Sequence, residues 1–215
     1  MFATAAAATA TAPIDQPLRW NPSAWSRAVT TCDQLAAHPS DPDKLTPGVS
    51  QAALLAAGAD LAIAACKDAV GVDPRNPRLN YQLARTLGYS GRGSEAAAYR
   101  DTAVAGDYPQ ALFVVGFVHL TGQGAPKDPC KAAGLIRRSA LAGRFAGLVG
   151  YPHYVVTGAF ATCTNVRIDR AELTGFLERA RTHGDNNEYY RGILIDNLAK
   201  DVSLLGSVQR PGRRR

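Results

Sequence analysis

ALFVVGFVHLTGQGAPKDPCKAAGLIRRSALAG, residues 111–143, decides the fold. Leu112, Val115, Gly116 and Val118 recur at helical spacing, and Thr-Gly-Gln-Gly-Ala-Pro at 121–126 breaks the run. A second helix opens at Lys127-Asp128-Pro129, where Asp128 suits an N-cap and Pro129 the first helical position. Its apolar or small face is Ala132, Ala133, Leu135, Ile136, Ala140 and Leu141, and Gly143 stands where a C′ glycine ends a helix. A helix pair this short cannot bury its own face and calls for neighbours of the same kind.

The neighbours are present. Upstream, residues 81–106 read YQLARTLGYSGRGSEAAAYRDTAVAG, again helix, glycine turn (Gly91-Arg92-Gly93) and helix. Downstream, residues 145–184 repeat the plan in degraded form. The terminators Gly106, Gly143 and Gly184 lie 37 and 41 residues apart. That period predicts an all-α fold, an antiparallel helix-pair solenoid of about four units with degenerate ends.

Residues Ala111, Val115, Gly116, Gly122, Gly124, Ala125, Asp128, Lys131, Ala132, Ala140, Ala142 and Gly143 together resemble the Sel-one-like repeat, a relative of the tetratricopeptide repeat. The unit at 78–106, with Leu83, Ala84, Gly91, Ala96 and Ala103 at packing positions, is nearer to a tetratricopeptide unit. The resemblance spans roughly residues 59–200 and implies a superhelix whose first helices line a concave groove. It departs in the third repeat. There Pro152 falls inside the first helix and is expected to kink or shorten it, and residues 158–165 replace the glycine turn. Families with this repeat serve in scaffolding, signalling regulation and host interaction, so the resemblance names no partner. The segment CDQLAAHPSDPDKLTPGV (32–49) is similar to a lead-in of bacterial proteins that carry it.

In chain order, residues 1–22 form a lead-in without periodicity, read as a disordered tail or a signal-peptide remnant. Ala-Thr-Ala precedes Pro13, but a basic n-region and an apolar h-region are lacking. The repeat domain is expected over 23–205. Within it, Ser23 caps a helix over 24–37 that buries Trp25, Ala28, Val29, Cys32, Leu35 and Ala36, and a helix follows at 60–70. The linker Asp73-Pro74-Arg75-Asn76-Pro77 leads to the next unit. Asp169 and Glu172 have the spacing of a capping box, and a last helix starts at Asn186 or Asn187 and packs Tyr190, Ile193, Leu194 and Leu198. Residues 206–215 are a basic tail.

The net charge of +6 owes four charges to Arg210, Arg213, Arg214 and Arg215, so the body is close to neutral and no specific nucleic-acid partner is expected. No apolar run reaches 18 residues, so no transmembrane helix is expected. The four cysteines form no C-x-x-C and have no histidine at zinc spacing. Cys32 and Cys66, 34 residues apart, and Cys130 and Cys163, 33 apart, are each separated by one repeat step, which predicts the pairs Cys32–Cys66 and Cys130–Cys163. The alternative is four buried reduced thiols. Disulfides place the chain in an oxidising compartment, periplasmic or secreted, against a cytoplasmic alternative.

No motif supplies a catalytic, cofactor-binding or metal-binding set. The glycine turns lack the Lys-Ser/Thr of a phosphate loop. His38, His119, His153 and His183 are dispersed, and Glu172 and Glu178 lie off a common helical face. A groove remains. Register with Leu83 places Arg78, Tyr81, Arg85 and Tyr89 on it, and register with Val115 and Gly116 adds Gln110, Phe113, Phe117 and Leu120. Phe113 and Phe117 have the alternative of interhelix core. The expected function is a non-enzymatic adaptor that takes a protein or peptide among these aromatics, with Arg78 and Arg85 meeting an acidic group or a C-terminal carboxylate. The alternatives are a cell-envelope hydrolase of β-lactamase type, as in cysteine-rich relatives of the repeat, and a structural envelope protein.

Overall fold

The structure is a computed structural model that describes residues 18–164, 166–183 and 189–206. Outside the described residues lie the lead-in 1–17, Asn165, Gly184, the helix start at Asn186 or Asn187, the Tyr190 side chain and the tail 207–215. Among the described residues there is no strand. After a 3₁₀ turn at Pro22–Ala24 come α1 (Thr31–Ala36), α2 (Gln51–Ala56), α3 (Ala59–Val72), α4 (Pro77–Tyr89) and α5 (Ala96–Ala105). Then follow α6 (Pro109–Thr121), α7 (Pro129–Leu141), α8 (Phe145–Val156), α9 (Arg170–Arg181) and α10 (Tyr189–Leu204). From α3 onward each helix packs chiefly on its sequence neighbours, while α1 packs on both α3 and α4. One core gathers Leu54, Ile63, Leu79, Leu83 and Leu87, and another gathers Ile136, Leu148, Tyr151, Leu173, Phe176 and Leu177.

Local chemistry sets the helix ends. Asp128 accepts the Lys131 N–H at 2.9 Å ahead of Pro129, and Asn76 accepts the Arg78 N–H at 3.2 Å ahead of Pro77. Gly143 (φ 83°) closes α7: its N–H reaches Ala140 C=O at 2.9 Å and the Arg144 N–H reaches Ser139 C=O at 3.1 Å. The end of α5 differs from expectation. There the left-handed residue is Asp107 (φ 56°), not Gly106. Gly106 is needed for space, since a Cβ on it would stand 2.7 Å from Pro77 Cβ. Gly116 has the same role, because a Cβ there would lie 2.7 Å from Ile136 Cγ1 and 3.2 Å from Leu135 Cβ, so α6 and α7 touch backbone to side chain.

Other expectations are corrected. The helix expected over 24–37 is confined to Thr31–Ala36 and is capped by Thr30, not Ser23. Ala28 and Val29 are exposed on the preceding irregular chain. Leu18 and Trp20, assigned to the lead-in, are packed: Trp20 meets Tyr108 edge-on with ring centroids 5.1 Å apart, and Leu18 lies against Leu112, Val115 and Leu135. Helix α2, with the strong helix formers QAALLA after its Ser50 cap, was not expected. Pro152 does not interrupt α8, which continues to Val156. Asp169 caps α9, accepting from the Ala171 and Glu172 N–H groups, but Glu172 turns away to pair with Arg137 at 2.7 Å.

Cys32 and Cys66 are bonded with Cα atoms 4.5 Å apart, and Cys130 and Cys163 with Cα atoms 5.3 Å apart, as the repeat spacing predicted. No helix of the described residues is long and apolar enough to cross a membrane.

Thiol titration in denaturant should find no free thiol before reductant and four after it; four at the outset would contradict the bonded pairs. Gly116→Ala should cost about 1–3 kcal/mol of unfolding free energy by overpacking α6 on α7. Gly175→Ala, in α9 with nothing within 4 Å of the new methyl, should instead add roughly 0.5–1 kcal/mol. Urea unfolding of the two variants measures both.

Candidate functional site

The groove residues read from the sequence do converge, and they converge on the chain itself. Residues 18–50 form a strap across α4 and the start of α6. Its anchor is Asp33, fully buried. Asp33 Oδ2 accepts the Thr30 N–H at 2.9 Å and the Thr30 hydroxyl at 2.8 Å. Its Oδ1 accepts the Gln82 amide at 2.9 Å and a guanidinium N–H of Arg78. Arg78 also donates to Ser26 C=O at 3.2 Å. Seven residues, about two helical turns, later, Arg85 donates to Ala36 C=O at 2.9 Å, Ala37 C=O at 3.3 Å and Val49 C=O at 2.6 Å. The Tyr108 hydroxyl donates to Asp41 at 2.6 Å.

A second polar row runs behind the strap. Arg144 donates to Gln110 at 2.6 Å, and Gln110 donates to the Tyr81 hydroxyl at 3.1 Å. Arg138 and the Arg19 N–H (2.9 Å) both reach Asp107. Arg78, Tyr81, Arg85 and Gln110 are therefore buried, at 7% exposure or less. Tyr89 is half-buried beneath the Arg85 guanidinium, 5.0 Å from its ring centre. The bonded Cys32 and Cys66 tie the strap to α3, while Cys130 and Cys163 lie in the other half of the molecule, joining α7 to the turn after α8.

Phe113 and Phe117 have separate fates. Phe113 is half-buried against the α7–α9 core, under the Arg144 guanidinium at 5.4 Å, and Phe117 is 41% exposed. Leu120 is half-buried on the same core. The sequence reading missed the neighbours on α8. A Cβ on Gly150 would stand 3.1 Å from the Phe113 ring and 3.6 Å from the Tyr154 ring, and His153 meets Tyr154 edge-on at 5.3 Å. Gly150 and Tyr154 stand four residues apart, a helical spacing that could have revealed them. The open part of the face is thus Phe113, Phe117, Gly150 and Tyr154. A separate open groove of about 620 Å³ lies between residues 26–31 and α3, with Val29, Leu61 and Val72 exposed on it.

Burial dominates the electrostatics of the strap. It raises the Asp41 carboxyl to about 6, against the Tyr108 hydrogen bond and the Asp43 N–H, which favour the anion. It also lowers His38 to about 4, aided by the positive charges of Arg85, Arg144 and Lys44. Tyr108 is pushed well above the usual phenol range by burial and by the Asp41 anion. Among the described residues no group of three or more His, Cys, Asp or Glu is placed to hold a metal ion. The arrangement can hold carboxylates and carbonyls.

Comparison with protein-family models, with curated proteins and with solved structures finds no match to this chain.

Asp41 gives the strap a pH signature. Its native pKa of about 6 exceeds the unfolded value of 3.8, so between those values the native state holds the extra proton and this group's contribution to stability falls as pH rises. Asp41→Asn removes that loss. The stability of the variant relative to the parent should rise by about 2 kcal/mol from pH 4 to pH 7, measured by urea unfolding at stepped pH. A flat difference would refute the burial of this carboxylate.

Proposed function

We propose that this chain is a non-enzymatic protein- or peptide-binding adaptor, built as a superhelix of about four helix pairs of the Sel-one-like kind. Three features support the architecture: the packing of successive helices on one another, the two cysteine pairs one repeat step apart, and the glycine contacts at Gly106 and Gly116. The observation that carries the function is the aromatic surface of Phe113, Phe117 and Tyr154, with the Arg144 guanidinium over Phe113. Aromatic rings already held by a rigid helix pair lose little freedom on binding, and with arginine they dominate interface energies. A partner would seat an apolar or aromatic side chain between α6 and α8. The two disulfides favour an oxidising setting for this role, periplasmic or secreted.

Selection from a random peptide library displayed on phage, against the intact disulfide-bonded protein, tests this. Enriched peptides should carry an apolar or aromatic anchor. Phe117→Ala and Tyr154→Ala should each weaken them about tenfold, the size of a moderate hot spot, with the helical circular dichroism unchanged. No enrichment, or equal affinity for both variants, would overturn it.

A further inference from the structure

The strap is held in the manner of a bound peptide. It forms little structure of its own, since α1 has six residues and α2 begins only at Gln51. Its grip on the helices combines apolar packing of Cys32, Ala36 and Val49 against Leu79, Leu83 and Leu87 with a set of specific polar contacts. The receiving groups are buried side chains of the helices: Arg78 and Arg85 at 5% and 7% exposure, with Gln82 and Tyr108 fully enclosed. What they receive is two carboxylates eight residues apart, Asp33 and Asp41, and between and beyond them the backbone carbonyls of Ala36, Ala37 and Val49. Carbonyls left free at a helix end belong to any sequence, and the carboxylates alone carry sequence.

We propose that residues 30–49 are a ligand bound in cis, and that the face of α4 and α6 beneath them is a binding site for an acidic peptide that enters through a short helical turn, as α1 does. A partner segment with a carboxylate for Arg78 and Gln82, carbonyls for Arg85 and a second carboxylate for Tyr108 reproduces every polar contact named. Two tethers keep the cis ligand in place, the Cys32–Cys66 bond and the continuous chain into α2. This site is distinct from the open Phe113–Phe117 surface, and either can fail without the other.

The test uses the full chain with Cys32→Ser and Cys66→Ser and a protease-recognition sequence inserted after Pro47, an exposed residue of the 42–47 turn. Cutting the folded protein removes both tethers and leaves Cys130–Cys163 intact. The probe is a fluorescein-labelled synthetic peptide of residues 26–47 with Cys32→Ser, which supplies every named group except the Val49 carbonyl, kept by the cut protein. The cut protein should keep its helical circular dichroism, release fragment 1–47 on gel filtration and bind the probe saturably. The uncut protein should not bind it. A probe with Asp33→Asn should bind at least about tenfold more weakly, the cost of losing a charged hydrogen-bond partner of Arg78. Loss of helicity on release, failure of the fragment to exchange, or equal binding of both probes would each overturn the proposal. Should the doubly substituted chain not fold, hydrogen exchange on the unaltered protein decides. Amides of residues 33–49 opening at least about tenfold faster than those of α4 and α6 support a separable strap, and equal protection overturns it.

Discussion

The buried Asp33 carboxylate is the constraint on which the N-terminal half rests. An ionised group out of water is tolerated only when paired and fully hydrogen-bonded. Asp33 receives four donors, two from Thr30 and one each from Gln82 and Arg78. The pairing links levels of structure. Asn76 and Pro77 fix where α4 begins, which fixes where Arg78 points, which fixes where residue 33 must lie. The same carboxylate completes the cap of α1, a helix too short to persist by itself. Register along the strap then follows, because Arg85 stands seven residues after Arg78 on one face and meets the carbonyls that end α1.

The other half depends on the absence of side chains. Alanines and glycines bring α6, α7 and α8 close enough for backbone contact. A Cβ on Gly147 would stand 2.6 Å from the Ala140 nitrogen, and the Ser139 hydroxyl reaches Pro109 C=O at 2.9 Å. Close approach also delivers Arg138 to Asp107. Aspartate tolerates the left-handed backbone that Asp107 adopts, and its charge is answered from two directions, by the strap and by α7. Small residues thus set the helix spacing, and the spacing sets which polar groups can meet.

The helix ends were legible because their signals are local: Asp128 with Pro129 opens α7 and Gly143 closes it. The strap was not, because what holds it is distant in sequence. Asp33 and Arg78 are 45 residues apart, and Asp41 and Tyr108 are 67 apart. Residues 25–30 imitate a helical apolar pattern with Trp25, Ala28 and Val29, yet no neighbouring helix covers Ala28 and Val29, and the caps of Thr30 and Asp33 compete successfully for the start. Arg78, Tyr81 and Arg85 were read from the sequence as open groove residues, and they lie buried under the chain's own residues instead. Their periodicity is identical whether the occupant is a partner or the same chain, so burial of Arg78, Tyr81 and Arg85 had no sequence signature.

Tethering decides how the covered and open parts of this face differ. A peptide joined to its site meets it at an effective concentration in the millimolar range for a short connection. An outside peptide at micromolar concentration loses to it even when every contact is equal. Here the connection is double, through Cys66 and through α2. Acid does not release the strap simply, because Asp41 and His38 oppose each other. Below about 6 the native state retains a proton on Asp41, which favours the folded contact. Over the range from 6.5 down to about 4 the unfolded state protonates His38 first, which disfavours it. The two partly cancel across mildly acidic pH, so on the reading of the strap as a cis ligand its occupancy is governed by tether and competing carboxylates. The Phe117 end of α6 lies outside the strap, with its ring 41% exposed on the intact chain.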